Sequence, residues 1–122
     1  LVPGASEYYK GTVVSYDNAV KTSLLNIENE TIKVYGAVSR EVVEQMAQNV
    51  SEKMETDCSI AVSGIAGPEG GTPEKPVGTV WICTQAHRKT VTQKYQFGSS
   101  REENINRTTN MAILQLIKML GK

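Results

Sequence analysis

A connection rich in glycine and proline is the part of this sequence best suited to hold an anion. Residues 63–78 contain five glycines and three prolines. Glycine lets backbone N–H groups approach a ligand closely and adopt positive φ, while proline stiffens the chain between them. Thr72 and Lys75 would add a hydroxyl and a cation for the same anion. The segment therefore favours a loop that cradles a phosphate or an oxyanion.

The position of this loop also favours a ligand site. It follows an apolar run at residues 58–62, and ligands in open α/β sheets lie beyond the carboxyl ends of strands. The loop matches neither the Walker pattern nor the dinucleotide-binding fingerprint. Glycine and proline are also the ordinary residues of structural turns, so composition alone leaves that alternative open.

The elements that must position the loop are four predicted strands and three predicted helices. Apolar and β-branched runs predict strands at 12–16, 58–62, 78–84 and 90–97, the second of them buried on both faces. Asp17 or Asn18 is expected to cap a short helix, and Ser39 a longer one. Ser100 followed by Glu103 three residues later is a capping-box pattern, which predicts the start of the last helix. His87 lies in a predicted turn.

The periodicity of the helices predicts which sides they bury. Apolar residues of the last two helices recur at the three-and-four spacing of a face packed on a core. Strands interleaved with helices predict an α/β fold, specifically a three-layer α/β/α domain with a mixed, mostly parallel central sheet. The predicted buried side of the last helix comprises Ile105, Thr109, Ala112, Ile113, Leu116, Ile117 and Leu120.

Length and composition narrow the classes of function. A chain of 122 residues fits one domain, and 13 basic residues balance 13 acidic ones, so no nucleic-acid partner is expected. No apolar run approaches the roughly 20 residues that cross a bilayer, so we expect no membrane partner and a cytoplasmic location. Cys58 and Cys83 lie in predicted strands and are expected to be free core thiols. With His87 as the single histidine, no metal site is expected.

Several motifs in order along the chain resemble the C-terminal domain of the competence/damage-inducible protein CinA. Stand-alone members of that family are nicotinamide-nucleotide amidases, also called NMN deamidases. The resemblance covers essentially the whole chain. It rests on Val2-Pro3-Gly4, Tyr16-Asp17-Asn18 with Lys21, Gly36-Ala37-Val38-Ser39, Gly64-Ile65-Ala66-Gly67-Pro68, Gly70-Gly71-Thr72, Lys75-Pro76-Val77-Gly78, and Arg101 with Arg107.

The resemblance implies hydrolysis of the carboxamide of nicotinamide mononucleotide, in pyridine nucleotide salvage. It implies Lys21 as the base, near a helix N-terminus whose dipole disfavours a protonated ammonium group, and Tyr16 as a proton relay. No metal or organic cofactor is required, and the partner is a small nucleotide. The implied substrate-binding residues are Asn18, Ser63, Gly64, Ile65, Ala66, Gly67, Gly70, Gly71, Thr72, Lys75 and Arg101.

The sequence departs from the family pattern in three places. The family's strand-to-helix segment with a Ser-Cys-Thr-Gly-Gly motif, which carries the nucleophilic serine, is expected upstream of Leu1. Without that segment the 122-residue chain should be inactive. Asp17 stands where serine is commoner, and Ser100 where an aspartate often precedes the arginine.

Other interpretations stay open for the individual residues and for the domain. Lys21 and Arg101 are also compatible with solvated side chains, Tyr16 with a half-buried strand residue, and Asn18 with a cap alone. The domain could be a non-catalytic nucleotide- or partner-binding module, because related domains occur fused behind a pyrophosphatase-like domain. It could also be a structural or oligomerising domain, and an open sheet edge would favour a homo-oligomer.

Overall fold

The computed structural model describes residues 26–121, which form three helices and a three-stranded sheet. In chain order these are α1 (Asn29–Tyr35), α2 (Arg40–Met54), β1 (Cys58–Gly64), β2 (Thr79–Ala86), β3 (Lys89–Gln96) and α3 (Arg101–Met119). The strand predicted at 12–16 and the helix predicted after it lie outside the described residues. The sequence did not predict α1. This helix has seven residues and buries only Thr31, so it has no apolar stripe by which to recognise it.

The three described strands form a sheet in the order β1-β2-β3, and both strand pairs are antiparallel. Between β2 and β3 the chain turns through His87 and Arg88 at φ values of 49 and 71, the tight hairpin geometry that joins antiparallel strands. The predicted turn at His87 is therefore confirmed. The expected predominance of parallel strands is not confirmed by these strands, because no helix crosses over between β1 and β2 or between β2 and β3.

Helix α2 packs on one face of the sheet as its sequence predicts. Ser39 begins it by accepting a hydrogen bond from the N–H of Val42 at 3.3 Å, which confirms the predicted cap. Its apolar stripe packs against Ala61 of β1 and Cys83 of β2, which lie opposite each other across the strand pair. The buried residues of this cluster are Ile27, Val42, Val43, Met46, Ala47, Ala61 and Cys83.

Helix α3 packs on the opposite face of the sheet, with only part of the side that its sequence predicts. Val80 and Ile82 of β2 meet Ala112 of α3 there. Most of the predicted buried side is exposed, with Ile113 at 50%, while the polar residues Asn104 and Gln115 are buried. The prediction holds for Ala112 but is wrong for most of this side, where the buried positions are taken by amides that have hydrogen-bond partners beneath the helix. The exposed predicted residues are Ile105, Thr109, Ile113, Ile117 and Leu120.

Strand β1 is also less buried than its sequence predicts. Ile60 and Val62, on the face shared with α3, are each 37% exposed. Their side chains line a groove between β1 and α3. The prediction of a strand buried on both faces is therefore wrong within residues 26–121, where α3 lies mainly over β2 and leaves this side of β1 open.

The two cysteines are free, as expected. Cys83 faces α2, opposite Ala61, whereas Cys58 pairs with Ala86 and has the strand parity of Ile60 on the other face. Side chains on opposite faces of one sheet cannot form a disulfide. Between Asn26 and Gly121, no helix is sufficiently long and apolar to span a lipid bilayer.

Candidate functional site

The glycine-rich connection between β1 and β2 is closed at its base by two backbone hydrogen bonds. The N–H of Ile65 donates to the carbonyl of Thr79 at 2.9 Å, and the N–H of Gly78 donates to the carbonyl of Ile65 at 2.7 Å. Further along, the N–H of Lys75 donates to the hydroxyl of Thr72 at 3.0 Å, and Thr72 N–H to the carbonyl of Lys75 at 2.9 Å. The connection is therefore an ordered loop built from two nested turns.

Close packing against neighbouring residues accounts for at least two of the loop's glycines. Gly67 has φ +94, and a Cβ there would lie 2.6 Å from Cγ1 of Val77. Gly78 has φ +92, and a Cβ there would lie 2.5 Å from the carbonyl oxygen of Gly98. Both positions need glycine for close approach and positive φ, whether or not a ligand binds. The glycine content alone therefore does not identify an anion site.

The first turn of α3 fixes the beginning of the loop. Arg101 donates from Nη1 to the carbonyl of Gly67 at 3.0 Å. Asn104 donates from Nδ2 to the carbonyl of Ala66 at 2.9 Å. Ser100 begins the helix by accepting from the N–H of Glu103 at 3.4 Å, as the sequence predicts. The Glu103 carboxylate, however, lies 3.9 Å from Arg107 rather than completing a capping box.

These contacts occupy the carbonyl groups at the start of the loop and leave nearby N–H groups free. Ile65 and Ala66 both have bonded carbonyls. Within the described part of the chain, the backbone N–H groups of Ala66, Gly67, Gly70 and Gly71 have no hydrogen-bond partner. Gly70 and Gly71 are exposed, whereas Ala66 is half-buried and Gly67 is buried. Unpaired N–H groups on a rigid backbone can donate to an anionic oxygen that reaches them. The loop can therefore bind a phosphate or stabilise an oxyanion.

Two other predicted site residues contact the connection between α1 and α2. Ser63 donates from its hydroxyl to the carbonyl of Ala37 at 2.8 Å. Lys75 donates from Nζ to the carbonyl of Tyr35 at 2.7 Å. The motif at 36–39 therefore lies beside the glycine-rich loop, and both side chains anchor structure there. A lysine bonded in this way keeps two further N–H donors for a ligand.

The structure brings together some predicted site residues and leaves others outside its description. Ser63, Gly64, Ile65, Ala66 and Gly67 run from the end of β1 into the loop, and Arg101 contacts them from α3. Gly70, Gly71, Thr72 and Lys75 form the distal part of the loop, joined by the Thr72–Lys75 turn. The three residues Tyr16, Asn18 and Lys21 lie outside residues 26–121, so their distance from the loop stays a prediction.

Asn104 is the site residue that the sequence did not identify. It lies three positions after Arg101, in the first turns of α3. The sequence did not single it out, because Asn106 and Asn110 lie in the same helix and are exposed. Its amide is only 1% exposed and bonds to the glycine-rich loop.

An apolar groove of about 460 Å³ runs beside the first loop residues, between β1 and α3. Ile60, Val62 and Val80 form its floor, and Ile105 and Ile113 form its helical wall. Ala66 and Asn104 also line it, which places the anchored start of the loop at the groove. Residues 26–121 contain no group of three or more histidine, cysteine, aspartate or glutamate side chains arranged to hold a metal ion.

The face of the sheet that carries α2 holds a separate cluster of charged residues around Trp81. The guanidinium carbon of Arg40 lies 5.4 Å from the centre of the Trp81 ring, and Nζ of Lys94 lies 6.0 Å from it. Glu44 lies 3.5 Å from Arg40 and accepts a hydrogen bond from Thr92 at 2.6 Å. These mutual contacts stabilise the sheet surface and account for the charges present.

The fold and the site define a class of protein. It is a domain of mixed helices and strands in which the first turn of a helix holds a glycine-rich loop. The chain belongs to the CinA C-terminal domain family, whose sequence profile matches residues 1–120. This membership agrees with the motifs in the sequence.

Relatives from diverse bacteria are similar to the chain over nearly its full length. A CinA-like protein of Cytophaga hutchinsonii is 50% identical over 117 residues, which is 96% of this chain and 28% of the relative. A CinA-like protein of Thermotoga maritima is 44% identical over 119 residues, 98% of this chain and 29% of the relative. The chain therefore spans less than a third of the length of these curated relatives.

Solved structures of competence/damage-inducible proteins have the same fold. The competence damage-inducible protein A (ComA) of Klebsiella pneumoniae superposes with a TM-score of 0.92 at 31% identity, over 98% of this chain and 74% of that one. The competence/damage inducible protein CihA of Agrobacterium tumefaciens superposes with a TM-score of 0.84 at 36% identity, over 86% of this chain and 65% of that one.

Proposed function

We propose that the complete protein containing this chain is a nicotinamide-nucleotide amidase. It would hydrolyse the carboxamide of nicotinamide mononucleotide to nicotinate mononucleotide and ammonia, in pyridine nucleotide salvage. The observation that carries the proposal is the loop after β1. Its Ala66 and Gly67 N–H groups have no partner among residues 26–121. The neighbouring carbonyls of Ile65 and Ala66 are bonded to Gly78 and Asn104. Such donors suit either the nucleotide phosphate or the oxyanion of amide hydrolysis.

The proposed chemistry is a two-step acyl transfer. The hydroxyl of a serine, expected upstream of Leu1, attacks the carboxamide carbon while Lys21 accepts its proton, with Tyr16 relaying or orienting. The resulting oxyanion collapses and ammonia leaves, taking the proton from the lysine and forming an ester to the serine. Water then hydrolyses the ester, releases nicotinate mononucleotide and restores the serine. Neither step requires a metal or an organic cofactor.

Residues of α3 and of the distal loop support the proposal as anchors that also carry charge. Arg101 donates one hydrogen bond to the carbonyl of Gly67, and its guanidinium has further N–H donors that can reach a phosphate. Lys75 similarly bonds to the carbonyl of Tyr35 and has two donors left. We propose that both cations contribute to nucleotide binding while holding the loop, together with Ser63, Thr72 and the adjacent backbone.

The direct test adds nicotinamide mononucleotide to the complete protein and measures ammonia. We expect turnover in the wild type and none in Lys21→Ala, because that variant lacks the proposed base. Lys33→Ala is the matched control, since Lys33 is exposed on α1, and it should retain full activity. Absence of ammonia from a folded wild-type protein would reject the amidase proposal. Hydrolysis by the 122-residue chain alone would contradict the upstream serine.

A non-catalytic nucleotide- or partner-binding module is the second candidate, and a surface of α3 favours it. Ile105, Ile113 and Ile117 are each at least 40% exposed on one side of this helix. Contiguous apolar surface of this kind is typical of an interface. A nucleotide that binds the complete protein without ammonia release would support this candidate and reject the amidase.

Wider features of the complete protein are also proposals. We propose a cytoplasmic enzyme that acts on a small nucleotide without nucleic-acid or membrane partners. A preceding pyrophosphatase-like domain would fit relatives that are more than three times as long as this chain. A homo-oligomer is a separate proposal. We also propose that the strand predicted at 12–16 extends the sheet, so that the full domain has three layers and parallel as well as antiparallel pairs.

A further inference from the structure

The buried amide of Asn104 joins three backbone groups from two separate segments. Its Nδ2 donates to the carbonyl of Ala66 and to the carbonyl of Gly98, each at 2.9 Å, and its Oδ1 accepts from the N–H of Gly98 at 3.0 Å. The residue is 1% exposed. Both donors and the acceptor of one amide are thus satisfied by backbone, and the start of the glycine-rich loop is tied to the segment before α3.

The direction of the Gly67 N–H follows from the bond to Ala66. In a trans peptide unit the C=O and the next N–H point in opposite directions, and the Ala66–Gly67 bond is trans. Because Asn104 draws the Ala66 carbonyl toward α3, the N–H of Gly67 must point away from the helix. Gly67 is buried, and its N–H has no hydrogen-bond partner among residues 26–121, so this donor is unsatisfied there.

We propose that Asn104 is a positioning residue that aims the N–H of Gly67 at the phosphate of a nucleotide ligand. This inference rests on the proposed function and adds to it the group that the loop recognises and the residue that sets its geometry. Arg101 supports a permanent anion, because its guanidinium bonds to the carbonyl of Gly67 at 3.0 Å and brings a positive charge to that residue.

The chemistry of the amide makes asparagine specific for this role. Aspartate has nearly the same shape and could still accept from the N–H of Gly98, but it has no donor for the carbonyls of Ala66 and Gly98. A carboxylate facing two carbonyl oxygens is repelled by them, so the Ala66–Gly67 unit would rotate or become mobile. The free N–H would then lose its fixed direction, and affinity for the phosphate would fall.

A site-selective NMR experiment can observe this N–H directly. Labelling with ¹³C-carbonyl alanine and ¹⁵N-glycine selects amide signals of Ala–Gly pairs, of which Ala66–Gly67 is the only one in this chain. Its signal in the complete protein is identified by its loss in Ala66→Ser, which removes the labelled carbonyl. The complete protein is titrated with inorganic phosphate, nicotinamide mononucleotide and nicotinamide riboside. We expect the Gly67 amide proton to move downfield with phosphate and with the mononucleotide, and to stay unmoved with the riboside, which lacks phosphate.

Two aspartate variants separate positioning from a general effect of charge. Asn104→Asp should weaken binding of the mononucleotide on the order of tenfold, the loss expected for one misaligned bond to a charged group. It should raise KM more than it lowers kcat, since phosphate binding is shared by ground and transition states. Asn106→Asp adds the same charge at an exposed position of the same helix and should change neither constant.

The outcomes separate this inference from the amidase proposal. The role of Asn104 is overturned if the Gly67 amide signal does not shift with phosphate or with the mononucleotide. It is also overturned if Asn104→Asp binds the mononucleotide with wild-type affinity. Should that variant fail to fold, the wild-type titrations alone decide. Ammonia release without a Gly67 shift rejects the positioning role and keeps the amidase. A phosphate-dependent shift without ammonia release supports the positioning role and rejects the amidase.

Discussion

The ammonium group of Lys75 bonds to the backbone carbonyl of Tyr35, with 2.7 Å between Nζ and the oxygen. The contact joins the distal part of the glycine-rich loop to the end of α1, across 40 positions of sequence. From sequence, Lys75 was a cation for a bound anion. In the structure its bond is to a neutral carbonyl, so its first role is to fasten the loop.

Removal of this fastening should destabilise the domain. We expect Lys75→Ala to lower the free energy of unfolding by about 1 kcal/mol, the net value of one hydrogen bond of this kind. Lys89→Ala, at the exposed start of β3, is the matched control and should change it by less than about 0.5 kcal/mol. Urea denaturation monitored by circular dichroism measures both. Equal stability of the two variants would show that the bond does not hold the loop.

Gly78 and Gly98 are in close contact, but substitution by alanine should reduce stability far more at Gly78 than at Gly98. A Cβ at Gly78 would lie 2.5 Å from the carbonyl oxygen of Gly98, and Gly78 has φ +92. We expect Gly78→Ala to cost about 3 kcal/mol, from backbone strain and overpacking together. A Cβ at Gly98 meets nothing within 4 Å, so Gly98→Ala should cost less than about 1 kcal/mol. Thermal unfolding of both variants measures the difference, and similar melting temperatures would contradict this geometry.

The buried amide of Gln115 should matter more than an exposed amide that shares its partner. Gln115 donates to the hydroxyl of Thr84 and the carbonyl of Val91, each at 3.0 Å, and accepts from the hydroxyl of Tyr95 at 2.9 Å. Gln115→Leu removes these three bonds beneath the helix and should cost about 2 kcal/mol. Gln93 also accepts from Tyr95, at 2.7 Å, but is exposed.

Gln93→Leu is therefore the control for Gln115→Leu, and it should cost less than about 0.5 kcal/mol because water replaces the lost bond. Urea denaturation of the two variants and the wild type gives the comparison. Equal losses would mean that burial of the Gln115 network adds nothing to stability.

The buried thiol of Cys83 should make stability fall at alkaline pH. Burial raises its pKa above the ordinary value of 9.0, because the thiolate is poorly solvated between the sheet and α2. The unfolded chain therefore loses this proton at a lower pH than the folded chain does. The stabilising contribution is complete below about pH 9 and is lost as the pH rises through the higher folded value.

Unfolding free energies measured from pH 7 to pH 11 test this linkage. Cys83→Ala should flatten the decline relative to the wild type, even though it also lowers stability at neutral pH by emptying part of the core. Cys58→Ala is the control, since Cys58 is only partly buried on the other face, and it should keep the wild-type decline. An unchanged decline in Cys83→Ala would contradict a raised thiol pKa.

Much of the fold could be predicted because the relevant signals are local. The strands β1, β2 and β3 lie within two residues of their predicted bounds at every end, since β-branched and apolar runs mark them. Ser39 and Ser100 were recognised as helix caps because a cap bonds to N–H groups three residues away.

The orientation of α3 was not predictable in the same way. Its apolar spacing was consistent with a buried side containing Ile113, yet the structure buries Asn104 and Gln115. Hydrophobic periodicity counts apolar residues and gives no weight to an amide whose partners lie elsewhere in the chain. The partners of these amides, in the glycine-rich loop and in β2 and β3, come together only when the helix is docked.

The sequence by itself determined the family, the loop that carries the candidate site and most element boundaries, because each depends on residues that are neighbours in the chain. The tertiary structure alone decided that Lys75 bonds to Tyr35, that Arg101 and Asn104 hold the loop, and which side of α3 is buried. These contacts join groups 34 to 40 positions apart. No local pattern encodes such pairs, since their partners are chosen by how helices and sheet pack.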